Sequence, residues 1–430
     1  MLSTARWLLL ILVGSLPLVQ PFSFRVRGLE LQPADIIFIP LLICFGLFAI
    51  RRKVIVEWKS FYLVLAIYAA AFALSAIFAA EPAYSALKLA GVFYLIGLAV
   101  VTSVLCGDRA FRKHLVFAWL FGTALTVFAS AAAVVLFYAG LTSPESNILI
   151  SHFGSLPAGN YPRIHALFSN ANMMCNYLNV SLVIIFVSRR QNWINEPLAI
   201  VLTAGTWLAA ILTFSPGLGG LAFSSGVWYW AVHRQAKYRN RCAVVLAAAV
   251  FSAILIFGAT LVSPDTQNTD RDLSLPILNL TVEPSVRVLV WADASARIAQ
   301  HPLLGAGPGA ATASVYYKTL SGQSQMLSDA HNMWLNVAGQ TGFLGLASLL
   351  LLGAYLASKC AFRTDDLTDD RVLRIGLSCA LIGAFLYQGM SGSFEDARHL
   401  WIVFGFLAAT PASRLDEDVG PPPTAPNEHI

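Results

Sequence analysis

"HLVFAWLFGTALTVFASAAAVVLFYAG", residues 114–140, contains no Asp, Glu, Lys or Arg. A helix needs roughly 20 apolar residues to cross a bilayer core, and this run exceeds that. Similar windows recur near 7–24, 33–50, 60–80, 85–106, 167–188, 197–214, 218–233, 243–262, 332–357, 373–391 and 397–411. The spacing predicts an all-α polytopic membrane protein with about twelve transmembrane helices. Composition agrees. The chain of 430 residues is 57% hydrophobic and 12% charged, against roughly 25% charged for soluble domains. The opening stretch has the length of a signal peptide, but no small-residue cleavage site stands out, so it reads as a retained first span.

The charges flanking residues 114–140 orient the chain. Arg109, Arg112 and Lys113 precede that run, and Arg189 and Arg190 follow the next span. With the N-terminus inside, the same side receives Arg6, then Arg51, Arg52, Lys53 and Lys59. It also receives Arg234, Lys237, Arg239 and Arg241, then Lys359, Arg363, Arg371 and Arg374, and finally Arg414. Most of the 28 basic residues thus lie on every second connection, which predicts cytoplasmic termini. The net charge of +5 follows from this bias. Charges spread over short turns make no continuous patch, so no nucleic-acid partner is expected. The cysteines, at 44, 106, 175, 242, 360 and 379, avoid the predicted outer loops and show neither disulfide nor zinc spacing.

Four regions follow. Residues 1–262 hold spans one to nine, with an outer loop near 139–166. Residues 263–331 form a large outer loop, residues 332–411 hold spans ten to twelve, and the acidic, Pro-rich 412–430 form a disordered inner tail. Long ordered loops are uncommon unless they have a function. In the larger one Pro284 and Ser285 start, and Pro302 stops, a helix at 286–300 that is too short and charged to span. Arg287 in its first turn is either an anion site beside free amides or an ordinary solvated arginine. Gly305, Gly307 and Gly309 then form a turn that lets backbone approach closely.

The smaller loop ends "RIHALFSNANMMCNYL", 163–178. Arg163 and His165 precede a span that Asn170, Asn172 and Asn176 enter. These asparagines either bond neighbouring helices or line a polar cavity with the arginine and histidine. "SDAHNMWLNVAGQTGFLGL", 328–346, opens the tenth span. Asp329 is expected as its N-cap, with His331 and Asn332 in the first turn. A helix N-terminus keeps imidazole neutral and able to take a proton. The alternative is an interfacial anchor. Gly342 and Gly345 allow close packing.

These motifs resemble the O-antigen ligase and polymerase superfamily. "HNMWLNVAGQTGFLG" fits its His-(Asn/Ser/Gln)-nine residues-Gly-x-x-Gly pattern, and "RVLVWADASARIAQHPLLGAGPGA" resembles the stretch that precedes it. "RIHALFSNANMMCNYL" resembles the family's entry to a middle span, with Ala166 and Ala171 replacing a usual Gly and Pro. One departure stands at "TFSPGLGG": Pro216 occupies the place of an arginine thought to bind the lipid diphosphate.

The resemblance implies a glycosyltransferase of the bacterial inner membrane, working on its outer face; with no acidic metal cluster read on the outer side, it is expected to need no metal and no cofactor. The donor is an undecaprenyl-diphosphate-linked glycan, and the acceptor is lipid A–core or a second lipid-linked glycan. It implies that Arg287, with Arg163 second, holds the diphosphate and that His331 takes the acceptor proton. Asn170, Asn172, His165, Asn332, Gly305 and Gly307 would then contact substrate. Ligase and polymerase both remain open, with Pro216 tilting toward a polymerase or exopolysaccharide-type member. A transporter for lipid-linked sugars and a non-catalytic subunit of an export machine are the competing classes. Transporters carry charge near the midplane, whereas here the polar residues gather at the span mouths.

Overall fold

The computed structural model describes residues 1–26, 29–52, 60–141, 149–153, 161–215, 217–232, 273–275, 280–282, 286–318, 324–359, 368–391 and 397–410. The expected ninth span, Pro216 and the 412–430 tail lie outside the described residues. The helices are α1 (Leu2–Ser15), α2 (Pro33–Arg52), α3 (Ser60–Ile77), α4 (Pro82–Leu105), α5 (Arg109–Tyr138) and α6 (Ala171–Arg190). They continue as α7 (Glu196–Ile211), α8 (Gly217–Val232), α9 (Val286–Gln300), α10 (Met333–Lys359), α11 (Asp369–Ser391) and α12 (Arg398–Ala409). Two-stranded antiparallel hairpins occupy connections: β1 (Phe24–Val26) with β2 (Leu29–Leu31), β3 (Ile150–Phe153) with β4 (Tyr161–Ile164), β5 (Leu273–Leu275) with β6 (Leu280–Val282), and β7 (Val315–Lys318) with β8 (Ser324–Leu327).

The apolar windows and the helices agree closely, and α9 falls on the expected 286–300. The first window is a correction. It was expected at 7–24, but α1 ends at Ser15, because Pro17 supplies no amide to continue the ladder. The hairpins also qualify the all-α expectation. Six helices, α2, α3, α4, α5, α6 and α10, are long and apolar enough to cross a membrane, while α1, α7 and α12 are apolar but shorter.

Large apolar side chains point outward. Ile39, Ile43 and Ile50 of α2, and Phe121, Phe128 and Val135 of α5, are all more than half exposed. In water such faces would be a liability, and against lipid they are the favourable surface. The protein is a multi-pass membrane protein. The best-buried span is α6, whose residues Met174 to Ile185 are buried without a break. A helix buried on every side belongs in the middle of a bundle.

Small residues set the closest crossings. Gly220 of α8 faces the Gly383 carbonyl of α11, and a Cβ on Gly383 would run into the Ser224 hydroxyl. That hydroxyl donates to Asn179 Oδ1 of α6 at 2.7 Å, and Asn179 Nδ2 donates to the Ala380 carbonyl at 3.3 Å. Three helices are thus joined by backbone proximity and buried hydrogen bonds, the usual glue of membrane bundles.

Each end of the bundle is tied by an arginine. At one end Arg112 donates to the Cys106 carbonyl at 2.7 Å, the Ala409 carbonyl at 3.2 Å and Asp370 Oδ1 at 3.1 Å, joining α4, α12 and α11. At the other, Arg398 of α12 makes a bidentate pair with Asp35 of α2 at 2.7 and 2.8 Å. The second end carries the N-termini of α6, α8 and α10, and there the motif residues collect.

Candidate active site

Helix α10 is broken at Gly342, whose φ of 65° and ψ of −165° lie in a region open essentially to glycine. A broken helix leaves amides and carbonyls that must be satisfied inside the protein. The loop after α9 does this. Phe343 N donates to the Pro302 carbonyl at 2.7 Å and Leu344 N to the Leu303 carbonyl at 3.3 Å. In return Ala306 N and Gly307 N donate to the carbonyls of Gly339 and Gln340 at 3.0 and 2.9 Å. Ser75 of α3 caps the joint by donating to the Leu304 and Gln340 carbonyls. Gly305 and Gly307 have φ of 66° and 110°, and a Cβ on them would strike the Gln340 backbone and Ala79 respectively. Both glycines, expected near substrate, are placed against the protein's own α10 and the turn after α3. We expect Gly342→Ala to lower stability by about 1–3 kcal/mol, read as an earlier thermal unfolding midpoint in detergent.

The turn before α10 carries the histidine. The expectation of an Asp329 N-cap is corrected. Asn332 is the cap, its Oδ1 accepting from Trp334 N and Leu335 N at 3.0 and 3.2 Å. A side-chain oxygen must sit immediately before the first free amides, and the helix starts at Met333. His331 therefore precedes the helix, in a left-handed conformation with φ of 47°. Asp329 instead organises the turn: its Oδ1 accepts from His331 N and from Asn336 Nδ2, the latter at 2.9 Å. Asn336 Oδ1 accepts from Ala330 N at 2.9 Å and from Thr312 Oγ1 at 2.8 Å. Trp291 of α9 closes the set, donating Nε1 to the Ala330 carbonyl at 2.9 Å.

Arg163 arrives from β4. Its Nε donates to the Thr213 carbonyl at 3.0 Å and its Nη2 to Asn172 Oδ1 at 3.3 Å. The guanidinium so joins the start of α6 to the turn between α7 and α8. Asn170 is the N-cap of α6, its Oδ1 accepting from Met173 N at 2.8 Å. Ala171 is then the first helical residue, where proline is well suited. Ala166 has φ of 46°, a conformation natural to glycine. The Gly and Pro that the resemblance leads one to expect at 166 and 171 would suit this backbone. His165 is buried and its Nδ1 bonds the Phe168 carbonyl at 2.7 Å, bracing this turn. Asn176, one turn deeper, is buried with both amide atoms unpaired among the described residues. Such groups ordinarily bond water or ligand.

Three of the expected residues share one electrostatic field. Burial pulls the Arg163 pKa down, Tyr387 opposes this, and Arg287 lowers it further. Burial likewise lowers Arg287, again opposed by Tyr387. His331 lies below the ordinary imidazole range through burial; Asp329 works against that shift and Arg287 adds to it. The Arg287 guanidinium thus acts on both Arg163 and His331. Two arginines and a histidine within one another's field are a combination able to hold an anion beside a proton acceptor. His331 keeps its side chain 44% exposed.

Tyr387 was not foreseen. It comes from the end of α11, and its ring packs where a Cβ on Gly217 would lie 3.0 Å from Cε2. Nothing in its local sequence separates it from other tyrosines at span ends, so only the packing of α11 on α8 reveals it. Asp329 was expected only as a helix cap and Asn336 was not foreseen, because the turn that joins them lies before the helix begins at Met333.

No curated protein matches the chain. Residues 198–350, from α7 past the break in α10, match the family model described as O-antigen ligase. This match places that segment, with His331 and Arg287 in it, in the O-antigen ligase and polymerase superfamily.

Proposed function

We propose that the protein transfers a glycan from an undecaprenyl-diphosphate carrier to an acceptor hydroxyl at the periplasmic face of the bacterial inner membrane. The observation that carries this reading is the joint field of Arg163, Arg287 and His331. The basic connections argue for cytoplasmic termini, which puts the end bearing this trio outside.

In this reading the acceptor hydroxyl gives its proton to His331 as its oxygen attacks the anomeric carbon. The bond from that carbon to the phosphate oxygen breaks, and the diphosphate leaves with the electron pair. Arg287 and Arg163 take up the charge as it develops, where fixed donors are most effective. Attack opposite the leaving group inverts the anomeric centre. Asn172 holds Arg163 in place, Asn332 and Asn170 cap the two helices at the site, and His165 braces the turn that presents Arg163. Gly305 and Gly307 fix α9, and so Arg287, to the broken helix.

The departure at Pro216 then has a local answer. Arg163 bonds the carbonyl of Thr213, three positions before Pro216 in the sequence, so β4 supplies a cation to the turn that follows α7.

The test reconstitutes purified protein in liposomes with a lipid-diphosphate glycan and acceptor candidates. A new glycosidic bond with release of the lipid diphosphate supports the reading. Movement of the lipid across the bilayer with no new bond overturns it. A deletion strain separates the subclasses: single repeats accumulating on carrier or core indicate a polymerase, and long unattached lipid-linked chains a ligase.

A further inference from the structure

We propose that Asp329 is the positioning residue that holds the His331 imidazole with its proton on Nδ1, leaving Nε2 as the atom that accepts the acceptor's proton. The inference rests on the transferase reading of this site and adds a residue to it.

These observations carry it. His331 Nδ1 lies 3.5 Å from Asp329 Oδ1, within ion-pair distance. Asp329 is itself fixed, since Oδ1 accepts from the His331 amide and from Asn336 Nδ2. No hydrogen bond to Oδ2 is formed among the described residues, so a second oxygen is ready for Nδ1–H. The scaffold behind the pair is rigid: Asn336 and Thr312 hold the Ala330 amide, and Trp291 holds the Ala330 carbonyl. A left-handed His331 backbone turns the residue back onto Asp329, two positions earlier.

A neutral imidazole donates from one nitrogen and accepts at the other, and its partner decides which. A carboxylate at Nδ1 selects the Nδ1–H form. It also stabilises the imidazolium formed after proton uptake. The charged groups acting on His331 are Asp329, on its own turn, and Arg287, from α9. Among the described residues, removing the carboxylate leaves the arginine alone, so the histidine becomes a weaker base.

The test compares wild type with Asp329→Asn, which keeps the shape and the Oδ1 acceptor, and with Asp329→Glu, in lipid nanodiscs. Nitrogen-15 spectra of labelled His331 report tautomer and titration without any substrate. The expected results are an Nδ1–H tautomer in wild type and, in Asp329→Asn, mixed tautomers and titration at lower pH. Transfer by Asp329→Asn should fall about tenfold or more at neutral pH, with the acid limb of its profile displaced to lower pH. Asp329→Glu should recover part of the rate.

An Nε2–H tautomer in wild type, or an unchanged tautomer and titration in Asp329→Asn, overturns the proposal. So does unchanged transfer by a variant whose spectrum has changed. Failure of the transferase reading appears separately, as wild type that makes no glycosidic bond while the spectra still report Nδ1–H.

Discussion

His331→Ala is expected to reduce the transfer rate by about 10²–10⁴, the usual contribution of one general base. The loss should fall on kcat, with KM nearly unchanged, because the proton moves only as the bond forms. The histidine stands outside helix α10, and Asn332 rather than His331 caps that helix, so the substitution leaves the fold's supports in place. The pH profile supplies the second readout. His331 acts as a base only when neutral, and its pKa lies below the ordinary imidazole value. The rate should therefore hold as pH falls through about 6.5 and decline only below it, as the imidazole gains its proton. A fall beginning well above 6.5, or a His331→Ala enzyme of near-normal kcat, would remove His331 from the mechanism.

Replacing Arg287 is expected to have the next largest effect. Loss of one donor to a developing charge typically costs about 10²–10³ in rate, and Arg287→Ala should lie in that range. Arg287→Lys should recover only part, because a point charge does not reproduce the two-pronged grip of a guanidinium on phosphate. Arg163→Ala should lose less, since Arg163 already spends Nε on Thr213 and Nη2 on Asn172. The double variant should fall short of the product of the two losses, as residues sharing one ligand couple. Full multiplicativity would mean that the two arginines serve different groups. Removing Arg287 also removes a cation that lowers the His331 pKa, so the acid limb of Arg287→Gln should move to higher pH. That direction is opposite to the one expected for Asp329→Asn.

What the sequence by itself determined is what depends on local composition and period. Long uncharged runs must be helices in a bilayer, because no other open structure satisfies its own backbone there. Hence α2 to α6 and α10 appear where hydropathy places them. Helix α9 follows from a proline before it and a proline after it. The histidine motif was equally visible, because its spacing is local.

Only the tertiary structure decided how these pieces meet. Gly342 reads as a small residue in a continuous helix until the Pro302–Gly307 loop is seen filling the break it makes. Arg163 and Arg287 are 124 positions apart and act on one another only because β4 and α9 are brought to the same end of the bundle. Tyr387 joins them through the packing of α11 against α8 at Gly217. The physical reason is common to all three. Hydropathy reports where each segment meets lipid or water, an average over a whole helix. A site depends on which single side chains converge between segments, and that is settled by close packing of glycines, hydrogen bonds to a broken backbone and the field of neighbouring charges.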